Sequence, residues 1–227
     1  MKSAYLCVAV LAFVFFGCNS GNSSQTPGTA STRTQDSTEI VALIRNVYKW
    51  HETAGPQADF SPAEGSAQDT AYVGLDMSRH WNRLAELRQT GFFSAAFLDN
   101  YDRIATDIHQ DLQNGTVEWL IGDVSPYSPD INPWCNCQDY PDRYWETITV
   151  SNISGDSNEK TFDWTWGAPF IYSAKAQKEN GTWKISYLQG FDYTTFTGKT
   201  ADAAAAPKCK KEPADGTHPA LAGIRCS

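Results

Sequence analysis

The sequence predicts an α+β fold in which three N-terminal helices pack on a curved antiparallel sheet. Apolar residues recur every three to four positions before residue 116, which is the period of a helix. After residue 116 apolar and polar residues alternate, and β-branched and aromatic residues dominate, which is typical of strands. The length of 227 residues suits one domain with additional terminal segments.

The first helix is predicted to begin at Asp36, because Asp36 and Glu39 have the spacing of a capping box. An apolar stripe follows on one helical face, and Gly55-Pro56 ends the helix. The stripe consists of Ile40, Leu43, Ile44 and Val47, with Trp50 or His51.

Two further helices follow. One is predicted over about residues 75–89, with Leu75, Trp81, Leu84 and Leu87 on its apolar stripe and Gly91 at its end. The other opens at Ser94 and closes at Asn114-Gly115. Its stripe repeats at three to four residues and consists of Phe93, Phe97, Tyr101, Ile104, Ile108 and Leu112.

The second half of the chain predicts at least four strands. They lie in the segments WETITVSNIS, EKTFDWTWG and PFIYSAKAQKENGTWKISYLQGF. Asn180-Gly181 is a strong signal for a two-residue hairpin turn. Because side chains alternate along a strand, Phe162, Trp164 and Trp166 are predicted to share one aromatic face.

The N-terminus predicts export. One cation, Lys2, precedes an apolar run over residues 4–16 that has the length of a signal-peptide core. Gly17-Cys18 and the polar segment after it resemble a bacterial lipoprotein signal, in which Cys18 is lipidated; ordinary secretion with cleavage nearby is the alternative. We expect a signal peptide over 1–17, a flexible tether over 18–35, a domain over 36–199 and a tail over 200–227.

Composition and charge limit the partners. The net charge of −8 and the pI of about 4.9 argue against nucleic acid, which requires clustered Lys and Arg. The lipid on Cys18, rather than charge, would therefore hold the protein at a membrane. We expect a bacterial envelope protein that is anchored at the outer membrane.

Four further cysteines are Cys135, Cys137, Cys209 and Cys226. In an oxidising envelope an even number indicates disulfides, and three connectivities remain open. We favour disulfides that pin the tail. A zinc site is less favoured because Cys135 and Cys137 are closer than the usual ligand spacing, and a redox pair is less favoured because the C-x-x-C motif is missing. No cofactor is expected.

Four segments carry a family resemblance: IVALIRNVYKWH, GFFSAAFLDNYDRI, the loop NPWCNCQDYPD and the hairpin AQKENGTWKISYLQGFD. In this order they resemble the DUF3828 group of envelope lipoproteins of unknown function, which is similar to the NTF2-like superfamily. The resemblance covers about residues 38–195. It implies a cone of three helices against a strongly bent sheet, whose concave face often forms a ligand pocket.

The resemblance does not supply a function, because this fold hosts enzymes, immunity proteins and binding modules. We expect a non-catalytic domain that binds a small ligand or an envelope partner. The candidate pocket residues are Asp139, Trp164, Trp166, Tyr172 and Tyr187, with the loop over residues 131–145 at the pocket mouth. The alternatives are a small hydrolase or isomerase that uses Asp139 and a tyrosine, and an immunity or scaffold protein that acts through its surface.

Overall fold

Helices precede an antiparallel sheet, which confirms the predicted α+β class. The computed structural model describes residues 27–54, 58–127, 131–167 and 169–199, with side chains from residue 34. The helices are α1 (Pro27–Thr53), α2 (Met77–Thr90), α3 (Ala95–Gln113) and the short α4 (Tyr193–Thr197). The strands are β1 (Pro62–Ala63), β2 (Gly74–Leu75), β3 (Thr149–Gly155), β4 (Glu159–Gly167), β5 (Phe170–Glu179) and β6 (Thr182–Leu188).

The main sheet is an antiparallel meander. Its strand order is β3-β4-β5-β6, and β1 pairs with β2 in a separate two-stranded ladder. The register shifts once in each of the three strand pairs of the main sheet, and such irregularities bend the strands and curve the sheet. Asn180 and Gly181 form the turn between β5 and β6 with φ values of 53° and 82°, as predicted for a tight hairpin.

Helix α1 begins earlier than predicted. It starts at Pro27, so residues 27–35, which we assigned to the flexible tether, are helical. Proline suits the first helical position because its φ is already fixed near the helical value and its missing N–H has no helical partner there. The prediction that Asp36 caps this helix is therefore wrong.

Asp36 lies inside α1 and is only 5% exposed. Its carboxylate accepts hydrogen bonds from Lys178 Nζ (2.8 Å) and from Trp183 Nε1 (3.1 Å). The hydrogen bond from Lys178 is the main reason why the pKa of Asp36 is lowered, and burial opposes it. Asp36 thus joins α1 to the β5–β6 hairpin.

The predicted caps of the next two helices are present. The Ser94 side chain accepts a hydrogen bond from the Phe97 amide at the start of α3. Gly91 follows the end of α2 with a φ of 70°, a left-handed conformation that favours glycine. All six predicted stripe residues of α3 are buried.

The predicted apolar stripe of α2 is wrong at Trp81, which is 60% exposed, whereas Leu75 and Leu87 are buried and Leu84 packs against the core. The fully buried residues of the helix are His80, Arg83 and Leu87. Two of these three are polar, and each has a tertiary partner. His80 Nε2 lies 2.8 Å from Asp102 Oδ1, and Arg83 Nε lies 3.3 Å from a carboxylate oxygen of Asp59. Sequence periodicity assigns polar residues to the solvent because it contains no information on such partners.

The aromatic face of the sheet packs against α1. Phe162 and Trp164 are buried and Trp166 is half-buried, so the predicted alternation along β4 is confirmed. The rings of Trp164 and Tyr48 on α1 have centroids 4.4 Å apart. Among the helices in the described ranges, none combines the length and apolar character that a membrane span requires.

Candidate functional site

The main candidate site is a cavity of about 450 Å³ beside the C-terminal end of α1. Its walls come from that helix end, the segment before β1, the middle of α3, the connection from α3 to β3, and α4. Most of the lining side chains are aromatic or aliphatic. The apolar and aromatic part includes Phe60, Ile108, Trp119, Ile131, Trp134 and Phe196, and the polar part includes His51, Asp59, Asn132 and Tyr140.

Asp59 anchors one wall of the cavity. One carboxylate oxygen accepts hydrogen bonds from Tyr101 Oη (2.6 Å) and from Arg83 Nε (3.3 Å). The other oxygen accepts from the indole Nε1 of Trp134 (2.6 Å). The side chains of Asp59 and Arg83 are only 7% and 5% exposed. Three donors from three parts of the chain therefore meet at one buried carboxylate.

This arrangement fixes the shape of the wall. Arg83 balances the charge of Asp59, and its guanidinium lies 5.7 Å from the centroid of the Trp134 ring. A carboxylate that is paired and accepts three hydrogen bonds has little capacity left to bind another group. Tyr101, the hydroxyl partner of Asp59, is fully buried and does not line the cavity. The carboxylate–hydroxyl pair thus holds the wall together.

His51 lies in the last turn of α1 and lines the same cavity. Its ring stacks on Trp134 with centroids 4.3 Å apart and an interplanar angle of 22°. Nδ1 is buried and has no hydrogen-bond partner among the described residues, whereas Nε2 lies 3.7 Å from Glu52 Oε1. Burial lowers the pKa of His51 to about 4, so the ring is neutral at neutral pH.

A tyrosine cluster adjoins His51. Tyr144 Oη donates a hydrogen bond to Glu52 Oε1 (3.2 Å), and the rings of Tyr140 and Tyr144 have centroids 4.9 Å apart. Burial raises the pKa of Glu52, and burial together with the charge of Glu52 raises the pKa of Tyr140. Tyr48 Oη donates to the backbone carbonyl of Trp134 at 2.5 Å. These bonds attach the loop over residues 131–145 to α1.

The same loop contains a disulfide. Cys135 and Cys137 are bonded to each other, with Cα atoms 5.1 Å apart, and Asn136 between them has a φ of 48°. The Asn132 amide donates to the Cys137 carbonyl at 2.8 Å and closes the turn. The favoured prediction, in which disulfides pin the tail, is therefore wrong for these two cysteines. Two cysteines that are adjacent in the same turn meet without closing a long loop.

The remaining predicted modification sites are Cys18, Cys209 and Cys226. All three lie outside the described residues.

None of the five predicted pocket residues lines this cavity. Trp164 and Tyr172 are 1% and 5% exposed and belong to the core, and Trp166 stacks on Tyr172 with centroids 4.9 Å apart. Asp139 is exposed, and Tyr187 is half-buried with Lys175 Nζ 5.9 Å from its ring centroid. Helix α1 packs on this aromatic face, where the rings of Tyr48 and Trp164 have centroids 4.4 Å apart, so the cavity and the predicted pocket residues lie in different places.

Three important residues of the site were missed. His51 was assigned to packing or to the surface, Asp59 lies in a segment that shows no regular pattern, and Trp134 was interpreted only as part of a structural loop. The aromatic composition of that loop was the available signal. Asn132, Trp134 and Tyr140 of the loop do line the cavity.

The chain has no recognisable relative in the comparisons. No family model, curated protein or solved structure matches it. Within the described ranges, no group of three His, Cys, Asp or Glu side chains is placed to hold a metal ion.

Proposed function

We propose that this domain binds a small, mostly apolar ligand in the cavity and leaves it chemically unchanged. The observation that carries the proposal is the concave space of about 450 Å³ with aromatic walls and a few polar groups. Ligand sites in proteins commonly have this composition and fall in this range of volumes, because apolar contact supplies affinity and a few polar atoms fix orientation.

The polar groups of the cavity favour binding over catalysis. The Asp59 carboxylate is paired with Arg83 and accepts two further hydrogen bonds. The pKa of His51, about 4, makes its ring a poor general base near neutral pH, since an effective base has a pKa close to the working pH. Asp139, the carboxylate that the enzyme alternative requires, is exposed outside the cavity.

The proposal includes the cellular setting and the family. We propose that Cys18 carries a lipid and that the domain works at the bacterial outer membrane, which the signal-like segment before Cys18 supports. An NTF2-like arrangement is also part of the proposal. Three long helices before a curved antiparallel sheet, together with a cavity, support it.

The test is a calorimetric titration with 2-methoxynaphthalene, a neutral ring probe. Ile131 lines the cavity and is 39% exposed, so Ile131→Trp should fill the space at modest cost in stability. Ile171 on β5 is 66% exposed and lies outside the cavity, so Ile171→Trp makes the same chemical change as a control. We expect the wild type and Ile171→Trp to bind the probe and Ile131→Trp to lose at least about tenfold in affinity. Equal binding by all three proteins, or by none, would contradict the proposal.

A further inference from the structure

We propose that residues 219–224 of the C-terminal tail dock on an exposed apolar surface at the mouth of the cavity and compete there with a ligand. This surface, which we call the apolar rim, consists of Val73, Leu120, Ile121, Val124 and Ile131. The docking of the tail is independent of the proposed binding function, whereas the competition with a ligand rests on it. The exposure of the rim, the position of Lys199 and the charges of both segments point to this occupant.

The apolar rim is built on two segments of the chain that are hydrogen-bonded to each other. Ala71 and Leu120 form an antiparallel bridge. The Tyr72 amide donates to the Trp119 carbonyl at 2.8 Å. Five of the eight large apolar side chains that are exposed in the described ranges belong to the rim, so their exposure is concentrated at one place. Trp119 and Ile131 line the cavity, which puts the rim at its mouth, and such an apolar surface is typical of a contact site.

The described residues end beside this rim. Lys199 follows α4, and its Nζ lies 2.8 Å from a carboxylate oxygen of Asp111 near the end of α3. The Asp111 carbonyl accepts a hydrogen bond from the Thr116 amide at 2.9 Å, where the connection to the rim begins. Phe196 of α4 lines the cavity. Residues 200–227 lie outside the described residues, and their attachment point is therefore next to the cavity mouth.

The tail has the length and the side chains that the rim requires. Its large apolar residues are Leu221 and Ile224, in the segment PALAGI over residues 219–224. Leu221 is 22 positions beyond Lys199, which corresponds to about 70 Å of extended chain at about 3.3 Å per residue. A segment on a short flexible connection has an effective concentration in the millimolar range. Even a contact that is weak between separate molecules is therefore formed within the chain.

The charges favour the tail over a second copy of the chain or an anionic membrane. The stretches 64–73 and 117–127 contain four exposed acidic residues and no Lys or Arg. These acids are Glu64, Asp69, Glu118 and Asp123. Two copies that dock through this face, or an anionic membrane against it, would bring like charges together. The tail instead brings the closely spaced cations Lys208, Lys210 and Lys211.

The N-terminal segment is less suited to the rim than the tail. Helix α1 has 27 residues and is therefore about 40 Å long. His51 in its last turn lines the cavity. The first turn of α1, to which residues 1–26 are attached, is thus about 40 Å away from the cavity, whereas the tail starts beside it.

The experiment measures how fast trypsin cleaves the folded full-length protein after Arg225, which directly follows the docking segment. Mass spectrometry after reduction identifies the products. Leu221→Ser changes the tail, Leu120→Ser changes the rim, and Ile171→Ser is the control, because Ile171 is 66% exposed on β5 outside the rim. We expect cleavage to be at least about fivefold faster in Leu221→Ser and in Leu120→Ser than in the wild type and the control, because a docked segment resists proteolysis.

Competition with a ligand is measured by calorimetric titration with 2-methoxynaphthalene. If the tail occupies the cavity mouth for about two-thirds of the time, Leu221→Ser should bind this probe about threefold more tightly than the wild type. The control Ile171→Ser should bind it like the wild type. Protection of Arg225 together with equal affinities of the wild type and Leu221→Ser would show that the tail docks without competing.

The outcomes separate tail docking from other occupants and from the proposed function. Equal cleavage rates in the wild type, Leu120→Ser and Leu221→Ser overturn the docking. A wild-type dimer that Leu120→Ser dissociates in sedimentation would assign the rim to a second copy, and binding to phosphatidylcholine vesicles that Leu120→Ser abolishes would assign it to a membrane. If the probe binds to none of the proteins, the proposed binding function fails, and the cleavage rates still decide the docking. Should Leu120→Ser not fold, Leu221→Ser decides it.

Discussion

At the scale of single residues, His51 is a buried side chain with a ring nitrogen that lowers the stability of the fold. Its ring is buried against Trp134, yet Nδ1 has no hydrogen-bond partner in the described part of the chain. A buried polar atom without a partner makes folding less favourable.

The substitution His51→Phe should therefore stabilise the protein. At neutral pH we expect a gain of about 1 kcal/mol in the free energy of unfolding, because the unpaired nitrogen is removed and the stacking on Trp134 is kept. Urea denaturation of both proteins measures it. A loss of 2 kcal/mol or more would show that the imidazole makes a stabilising contact.

The advantage of His51→Phe should grow as the pH falls. The pKa of His51 is lowered from 6.5 to about 4 in the folded protein, so between these values the unfolded state binds more protons than the folded state. Wild-type stability is then lost as the pH falls from 6.5, by up to about 3 kcal/mol near pH 4. His51→Phe lacks this titration, so its stability should fall less than that of the wild type. A difference in unfolding free energy between the two proteins that stays constant from pH 6.5 to pH 4 would contradict the account.

Asp59 and Asp139 form a matched pair for a second prediction. Asp59→Asn removes the charge that balances the buried Arg83, so we expect a loss of about 3–5 kcal/mol in unfolding free energy. Asp139 is exposed, so Asp139→Asn should change stability by less than about 0.5 kcal/mol and leave probe binding unchanged. If Asp139→Asn instead had the larger effect of the two substitutions, the site predicted from sequence would be favoured.

At the scale of elements, local sequence determined much of what could be predicted. Ser94, Gly91 and Asn180-Gly181 act through hydrogen bonds and backbone angles within a few residues, and all of them lie where the sequence places them. The burial of Asp36 within α1 and the buried face of α2 depend on distant partners. Lys178 draws Asp36 into the core, and Asp59 does the same for Arg83, which no periodicity reveals.

Substitution of Asp36 tests how α1 is attached. Asp36→Ala leaves Lys178 and Trp183 without their acceptor, and we expect a loss of about 2–3 kcal/mol, less than for a fully buried pair because Lys178 remains 23% exposed. Glu39→Ala is the control, because Glu39 is only half-buried and the donor to its carboxylate, Gln35 Nε2, lies in the same helix. Equal small losses for both variants would favour a capping role for Asp36 at a frayed helix end.

At the scale of the whole molecule, the site was predicted less well than the fold. The aromatic face of β4 was predicted correctly, but which element covers it is decided by how α1 docks, and α1 fills it. The cavity forms where an irregular segment, a disulfide-closed loop and a helix end meet. Sequence patterns identify regular elements but carry little information about such junctions, so the roles of Asp59 and Trp134 in the cavity wall were not predicted.

Anchoring is a property of the whole chain. If Cys18 carries a lipid, Cys18→Ser should move the protein from the membrane fraction to the soluble fraction. The net charge of −8 would not hold the protein at an anionic membrane surface. Fractionation and intact-mass measurement on both proteins test this. A variant that stays with membranes, together with a wild type that lacks lipid mass, would refute lipidation.

The central claim is that ligands bind between α1 and the disulfide loop and not on the aromatic face of the sheet. The most direct test follows the indole N–H signals of the eight tryptophans by nuclear magnetic resonance during titration with 2-methoxynaphthalene. Trp119 and Trp134 line the cavity, so their signals should shift, while those of Trp164 in the core and of Trp166 packed against the core stay in place. Shifts at Trp164 or Trp166 with none at Trp134 would contradict the account.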